Sequence, residues 1–130
     1  MEPALIATRP KEVLCLFPVE FPTQEGDAYF FLAMDVYSEF LIHTGTEKSN
    51  NIECVLKHIG LLLQHKDLER YKNRPFTLVL HKHEEFRTEI EGIIKPYGGT
   101  LVVSDAYLSE KMMPAIEVLF MRLAGSNNNG

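Results

Sequence analysis

Three apolar runs crowd the first third of the chain: EVLCLFPVEF (residues 12–21), AYFFLAMDV (28–36) and EFLIHTGT (39–46). Only PTQEGD and the short Asp35–Tyr37–Ser38 turn separate them. A parallel strand pair needs a crossover of a dozen or more residues, so strands joined this tightly must run antiparallel. The second run is nearly unbroken in its apolar character, which predicts a strand covered on both faces. Pro18 in the first run predicts an edge position or a bulge, because proline cannot donate to a ladder.

The rest of the chain changes period. Ser49 is a candidate helix cap. Beyond it Ile52, Val55, Leu56, Ile59, Leu62 and Leu63 fall at helical spacing, and the helix is expected to end near Gln64 to Lys66. Pro75 opens PFTLVLH, a buried strand. EEFRTEIEGIIKPYG reads as a helix with Phe86, Ile90 and Ile93 or Ile94 inward, stopped by Pro96 and Gly98–Gly99. TLVVS is a short strand. A last helix places Ile116, Leu119, Phe120 and Leu123 on one side, with Pro114 in its first turn, where a missing N–H costs least.

Strands separated by helices pair in parallel through right-handed crossovers. The order predicts an α/β fold: a mixed five-stranded sheet, three antiparallel strands then parallel ones, with helices packed on it. The 130 residues suit one domain, over 12–124, with flexible ends at 1–11 and 125–130 (GSNNNG).

Three stretches carry a resemblance. PTQEGDAYFFLAMDVYSEF resembles the hairpin of integrase and transposase catalytic cores, which leads into an apolar strand ending in an Asp–x–x–Ser turn, here Asp35 to Ser38. FTLVLHKHEEF resembles their next strand, and AIEVLFMRL their last helix. Together these span most of the chain and imply the ribonuclease H-like fold. The resemblance also implies a chemistry: two Asp and one Glu hold two Mg²⁺ or Mn²⁺ ions for phosphodiester cleavage or transfer.

Carried over residue by residue, the first aspartate falls on Phe17, the second on His83, and the glutamate on Glu117. One of the three acids is kept. A hydrocarbon and an imidazole are poor partners for Mg²⁺, which prefers oxygen ligands. The resemblance thus implies a catalytically degenerate core associated with DNA integration or recombination. Cofactors are not expected, except Mg²⁺ or Mn²⁺ on family grounds. Such a core would bind DNA weakly or another protein, and a homodimer is plausible for the fold. Two alternatives stand beside it. One is a protein–protein interaction module. The other is an unconventional metal-dependent nuclease using His83 and Glu117, with Glu20 or Asp35 as third ligand.

Each candidate residue also has a plainer reading. His81 and His83, two apart, would share a strand face and could pair with Glu117 on Zn²⁺; the preferred reading has them capping the strand's polar end in solvent. Glu84 and Glu85 suit the first turn of a helix. Asp35 can accept backbone N–H bonds in an Asx-turn. Glu20 is out of phase with Phe17 along the strand. His43, His58 and His65 read as scattered and exposed, and Met112, Met113 and Met121 as packing residues.

The formal net charge of −5 argues against strong phosphate binding by this domain alone, and the cations of KDLERYKNRP are interleaved with acids. Cys15 and Cys54 lack metal-finger or CxxC spacing and read as buried thiols. No run reaches the ~20 apolar residues of a membrane span, and MEPALIATRPKEV lacks signal-peptide order. These features predict a cytoplasmic protein. No small-molecule substrate is indicated.

Overall fold

The computed structural model describes residues 6–69 and 74–128; the side chains of residues 67, 115, 119, 120 and 122–128 lie outside that description. Strand β1 (Val13–Thr23) and β2 (Gly26–Asp35) form a hairpin with a two-residue loop, and β3 (Leu41–Glu47) follows. Then come α1 (Ile52–Leu63), the short α2 (Lys66–Glu69), β4 (Phe76–Leu80), α3 (Arg87–Ile94), β5 (Gly99–Val103) and α4 (Asp105–Asn128). The five strands form one sheet in the order β3-β2-β1-β4-β5. β1 pairs antiparallel with β2, and β2 with β3, while β4 lies parallel to β1 and β5 parallel to β4.

The alternation of β1 divides the core. Leu14 and Leu16 join Val55, Ile59 and Leu62 of α1 and Ile90 and Ile94 of α3 on one face. Val13 and Cys15, with Phe17 and Val19 alongside, join Leu108, Met112 and Ile116 of α4 on the other. Each fully buried aliphatic side chain of this kind contributes roughly 1.5–3 kcal/mol. Burial in this core pushes the Cys15 thiol up to about 12, and Cys54 is half-buried. β4 pairs with β1 only over Val13–Cys15. Pro18 therefore lies where β1 has a partner on one side, as its missing N–H requires, and the β1–β2 register runs through it unbroken.

Several expectations are corrected. The cap of α1 is Asn51, whose side chain accepts from the Cys54 N–H; Ser49 Oγ instead accepts from the Asn51 N–H at 3.0 Å. Helix α4 begins nine residues before Pro114. Ser104 starts it, with its Oγ accepting from the Tyr107 N–H at 3.2 Å, and Leu108, Met112 and Ile116 form the inward ladder. Pro114 lies on the exposed side, where the carbonyl of Glu110 can turn to water. The burial anticipated for Leu119, Phe120 and Leu123 falls on side chains outside the described set.

The ends also differ from expectation. Helix α4 runs to Asn128, through four residues of the anticipated tail; the last two lie outside the description. At the other end Arg9 donates to the Pro75 carbonyl, and Lys11 N–H donates to Asp35 Oδ1 at 3.0 Å. Residues 9–11 are thus fastened to the sheet, while residues 1–5 of the anticipated flexible lead lie outside the description. Of the basic stretch 66–75, residues 66–69 form α2, and 70–73 are not described. Among the described residues no helix is long and apolar enough to cross a membrane.

Candidate functional site

The face of β1 that meets α4 places Phe17 beside the helix position carrying Glu117. The two line one open cleft of about 420 Å³ with Val19, Met113, Ile116 and Met121. Pro114 lies three residues before Glu117, which is in the middle of a long helix rather than in its first turn. Met112 is fully buried, but Met113 and Met121 are exposed at the cleft, 41% and 73%, where they were expected to pack.

The residue of the histidine loop that meets Phe17 is His81. Their ring centroids are 4.9 Å apart. β4 ends at Leu80, so His81 and His83 stand on a bend and do not share a strand face; their rings are 6.5 Å apart and nearly perpendicular. His83 adopts a left-handed backbone, φ 81°, and turns its ring toward Phe86. Its Nε2 is buried and has no hydrogen-bond partner among the described residues. Neither histidine is a simple solvent-facing cap: burial, helped by Lys82, pushes both below the ordinary range, His81 to about 4. Of the acids that follow, Glu84 is structural. Glu84 forms a two-pronged pair with Arg87 at 2.7 and 2.8 Å, and the same guanidinium reaches Glu91 at 2.9 Å.

The other proposed third ligands stand elsewhere. Asp35 is fully buried, and strand alternation puts it on the α1 side of β2 together with Ala33. It accepts from Ser38 Oγ at 2.7 Å and from Lys11 N–H, with Lys11 Nζ at 3.5 Å. The Asp–x–x–Ser turn is a lock. Glu20 shares the phase of Leu14 and Leu16, away from Phe17. It is exposed beside Asp27, whose hydrogen bond and charge raise its pKa. Two divalent cations need several hard oxygen donors. Among its described lining residues this cleft supplies one carboxylate and one phenyl ring, with the His81 imidazole packed against that ring, so its donor set does not fit that pair. Among the described residues no three His, Cys, Asp or Glu are placed to share a cation.

A second polar cluster, on the opposite face, was not anticipated. The β2–β3 register shifts between Ala33 and Met34, so that Met34 opposes Leu41 and Ala33 opposes His43. Ile42 is the extra residue, and from His43 onward the side chains facing α1 are those of His43, Gly45 and Glu47. His58 of α1 is 3% exposed, where it was expected to be solvated. Its ring stacks on Phe31 at 4.5 Å. His58 Nδ1 lies 2.8 Å from His43 Nε2, and its Nε2 lies 3.1 Å from Glu47 Oε1. Lys57 Nζ reaches the same Glu47 oxygen at 2.7 Å. His43 and His65 are half-buried rather than exposed. The signals available were the His43–Gly45–Glu47 alternation and the place of His58 on the apolar face of α1.

These depressed imidazoles have a pH consequence. His43, His81 and His83 bind protons less readily folded than unfolded, so the stability they contribute is present above about pH 6.5 and is lost as pH falls. His81 is half open to solvent, which reduces its share to the order of 1 kcal/mol. The thermal midpoint is expected to drop between about pH 7 and about pH 5, and His81→Asn should shallow that slope; calorimetry across the range checks it.

No family model and no curated protein matches the sequence. The fold does match solved structures. A chain in the structure of the simian T-cell lymphotropic virus intasome, in complex with the PP2A regulatory subunit B56 gamma, superposes with a TM-score of 0.63 at 10% identity, covering 93% of this chain and 44% of that one. The HTLV-2 integrase catalytic core domain in complex with magnesium gives 0.60 at 13% identity, covering 96% and 79%. The catalytic domain of Mos1 mariner transposase gives 0.56 at 8%, covering 89% and 60%. This chain thus spans under half of the first of these proteins and most of the second. It has the ribonuclease H-like fold of integrase and transposase catalytic cores.

Proposed function

We propose that this chain is a degenerate integrase- or transposase-type core that takes part in DNA integration or recombination by binding, without two-metal phosphoryl transfer. The fold supports the general kind. The observation that supports the loss of catalysis is that Phe17 and Glu117 line one cleft, so that where the resemblance implies the first carboxylate this chain carries a phenyl ring. No water or 3′ hydroxyl can be activated there by the usual ion pair, because a single carboxylate does not balance two dications.

The test is cleavage and strand transfer on labelled DNA with Mg²⁺ or Mn²⁺. The expected result is no product above background from the protein. Product formation that disappears in Glu117→Gln would overturn the reading. DNA affinity is the second measurement. Binding is expected to be weak and to fall steeply with added salt, as phosphate contacts dictate.

A second reading, a protein–protein interaction module, is favoured by the apolar lining of the same cleft and by the net charge of −5. Apolar and methionine side chains suit an apolar partner surface better than a phosphate backbone. Absence of DNA binding even at low salt would select this reading over the first.

A further inference from the structure

We propose that the His43–His58–Glu47 chain is a proton-operated latch between the edge strand β3 and helix α1, closed near neutral pH and opened when a second proton enters the histidine pair. The proposal goes beyond the recombination reading and stands on different residues. The contact between His43 Nε2 and His58 Nδ1, at 2.8 Å, holds one hydrogen. With both rings neutral, one nitrogen donates and the other accepts. With one imidazolium, the contact survives as a charge-assisted bond. With both rings protonated, two N–H groups and two positive charges face each other, and the contact must open.

Of the other groups facing the pair, Glu47 and Cys54 keep one protonation state across the range. Glu47, on β3, stays ionised because Lys57 and His58 hold its carboxyl below the ordinary range. From α1 the facing groups are Lys57, Cys54 and Glu53; Cys54 stays protonated, since burial and Glu47 raise its pKa. His65, beyond the end of α1, adds a repulsive charge toward His43. From β2 the nearest facing groups are uncharged rings, Phe31 stacked on His58 and Tyr29 opposite Glu47, while Asp27 and Asp35 share that face nearer the strand's two ends. Burial and the neighbouring histidines lower the pKa of His43, so closure is favoured above about pH 6.5 and weakens as pH falls.

The geometry also explains why the latch would act locally. β3 is at the end of the sheet, paired on one side only, with β2. A Cβ on Gly45 would lie 2.4 Å from His58 Cε1, so the strand and the ring are fitted to each other. Once His58 leaves, this part of the attachment of β3 to α1 goes with it.

The experiment is amide hydrogen exchange, corrected for intrinsic rates, between about pH 7.5 and about pH 5.5, a range that brackets the ordinary histidine value. Protection of those amides of residues 44–47 that pair with β2 is expected to fall by about tenfold over that range, while amides of β1 lose less. Histidine-43 replaced by glutamine, H43Q, keeps a donor for His58 Nδ1 but takes up no proton, and its β3 protection is expected to stay level. Equal loss across β1 and β3, or a parallel fall in H43Q, would overturn the latch. Ring-nitrogen NMR of the unmutated protein supplies a check that needs no variant. His43 and His58 are expected to shift together, and two independent ordinary titrations would overturn the proposal.

Discussion

Gly45→Ala is expected to destabilise the protein by about 2–4 kcal/mol, although alanine ordinarily improves on glycine in a strand by about 0.5–1 kcal/mol. The added methyl would stand 2.4 Å from His58 Cε1 and 3.1 Å from Nδ1. The ring has little room to yield, since it is buried, stacked on Phe31 and bonded at both nitrogens. Overpacking costs about 1–3 kcal/mol. Expelling the ring adds a loss of about 1–3 kcal/mol for the buried groups left unpaired. The thermal midpoint should fall by on the order of 10 °C. In a His58→Ala background the same substitution should cost far less, because the atoms it strikes are gone; a double-mutant cycle in urea measures that coupling. A neutral or stabilising Gly45→Ala would show that the ring does not occupy this position.

Asp35→Ala is expected to cost about 3–5 kcal/mol, the range for removing one partner of a buried ion pair. The carboxylate holds Ser38 Oγ, the Lys11 N–H and the Lys11 ammonium, so its loss frees the turn into β3 and the lead into β1 together. Ser38→Ala, which removes one hydrogen bond, should cost about 1 kcal/mol. The pair of variants separates a structural Asp–x–x–Ser turn from a functional one. A structural turn predicts large losses in chemical denaturation. A stable Asp35→Ala that instead loses nucleic-acid or partner binding would assign the carboxylate to a site.

Much of the fold was legible because it follows from local chain properties. Connection length alone made the first three strands antiparallel, and the spacing of Ile52, Val55, Ile59 and Leu62 marked α1 whatever it packs against. The place of Phe17 on β1 was legible because a hairpin counts residues reliably: its register runs without a break from Leu14–Asp35 to Thr23–Gly26. The start of α4 was harder to read. A proline looks like a helix start, yet Ser104 caps the helix ten residues earlier and the lost bond of Pro114 faces solvent.

The histidines mark the boundary. Connection length, alternation and helical period, properties of the local sequence, determined which strands run antiparallel and which helix faces turn inward. Tertiary structure decided the rest. A one-residue register shift at Ile42 sets His43 on the α1 side, and an early end to β4 brings His81, not His83, against Phe17. Burial of His58 depends on a glycine thirteen residues away and on a phenyl ring from another strand. A polar side chain is tolerated inside a core only when its partners arrive from elsewhere in the chain, and no local pattern records that arrival.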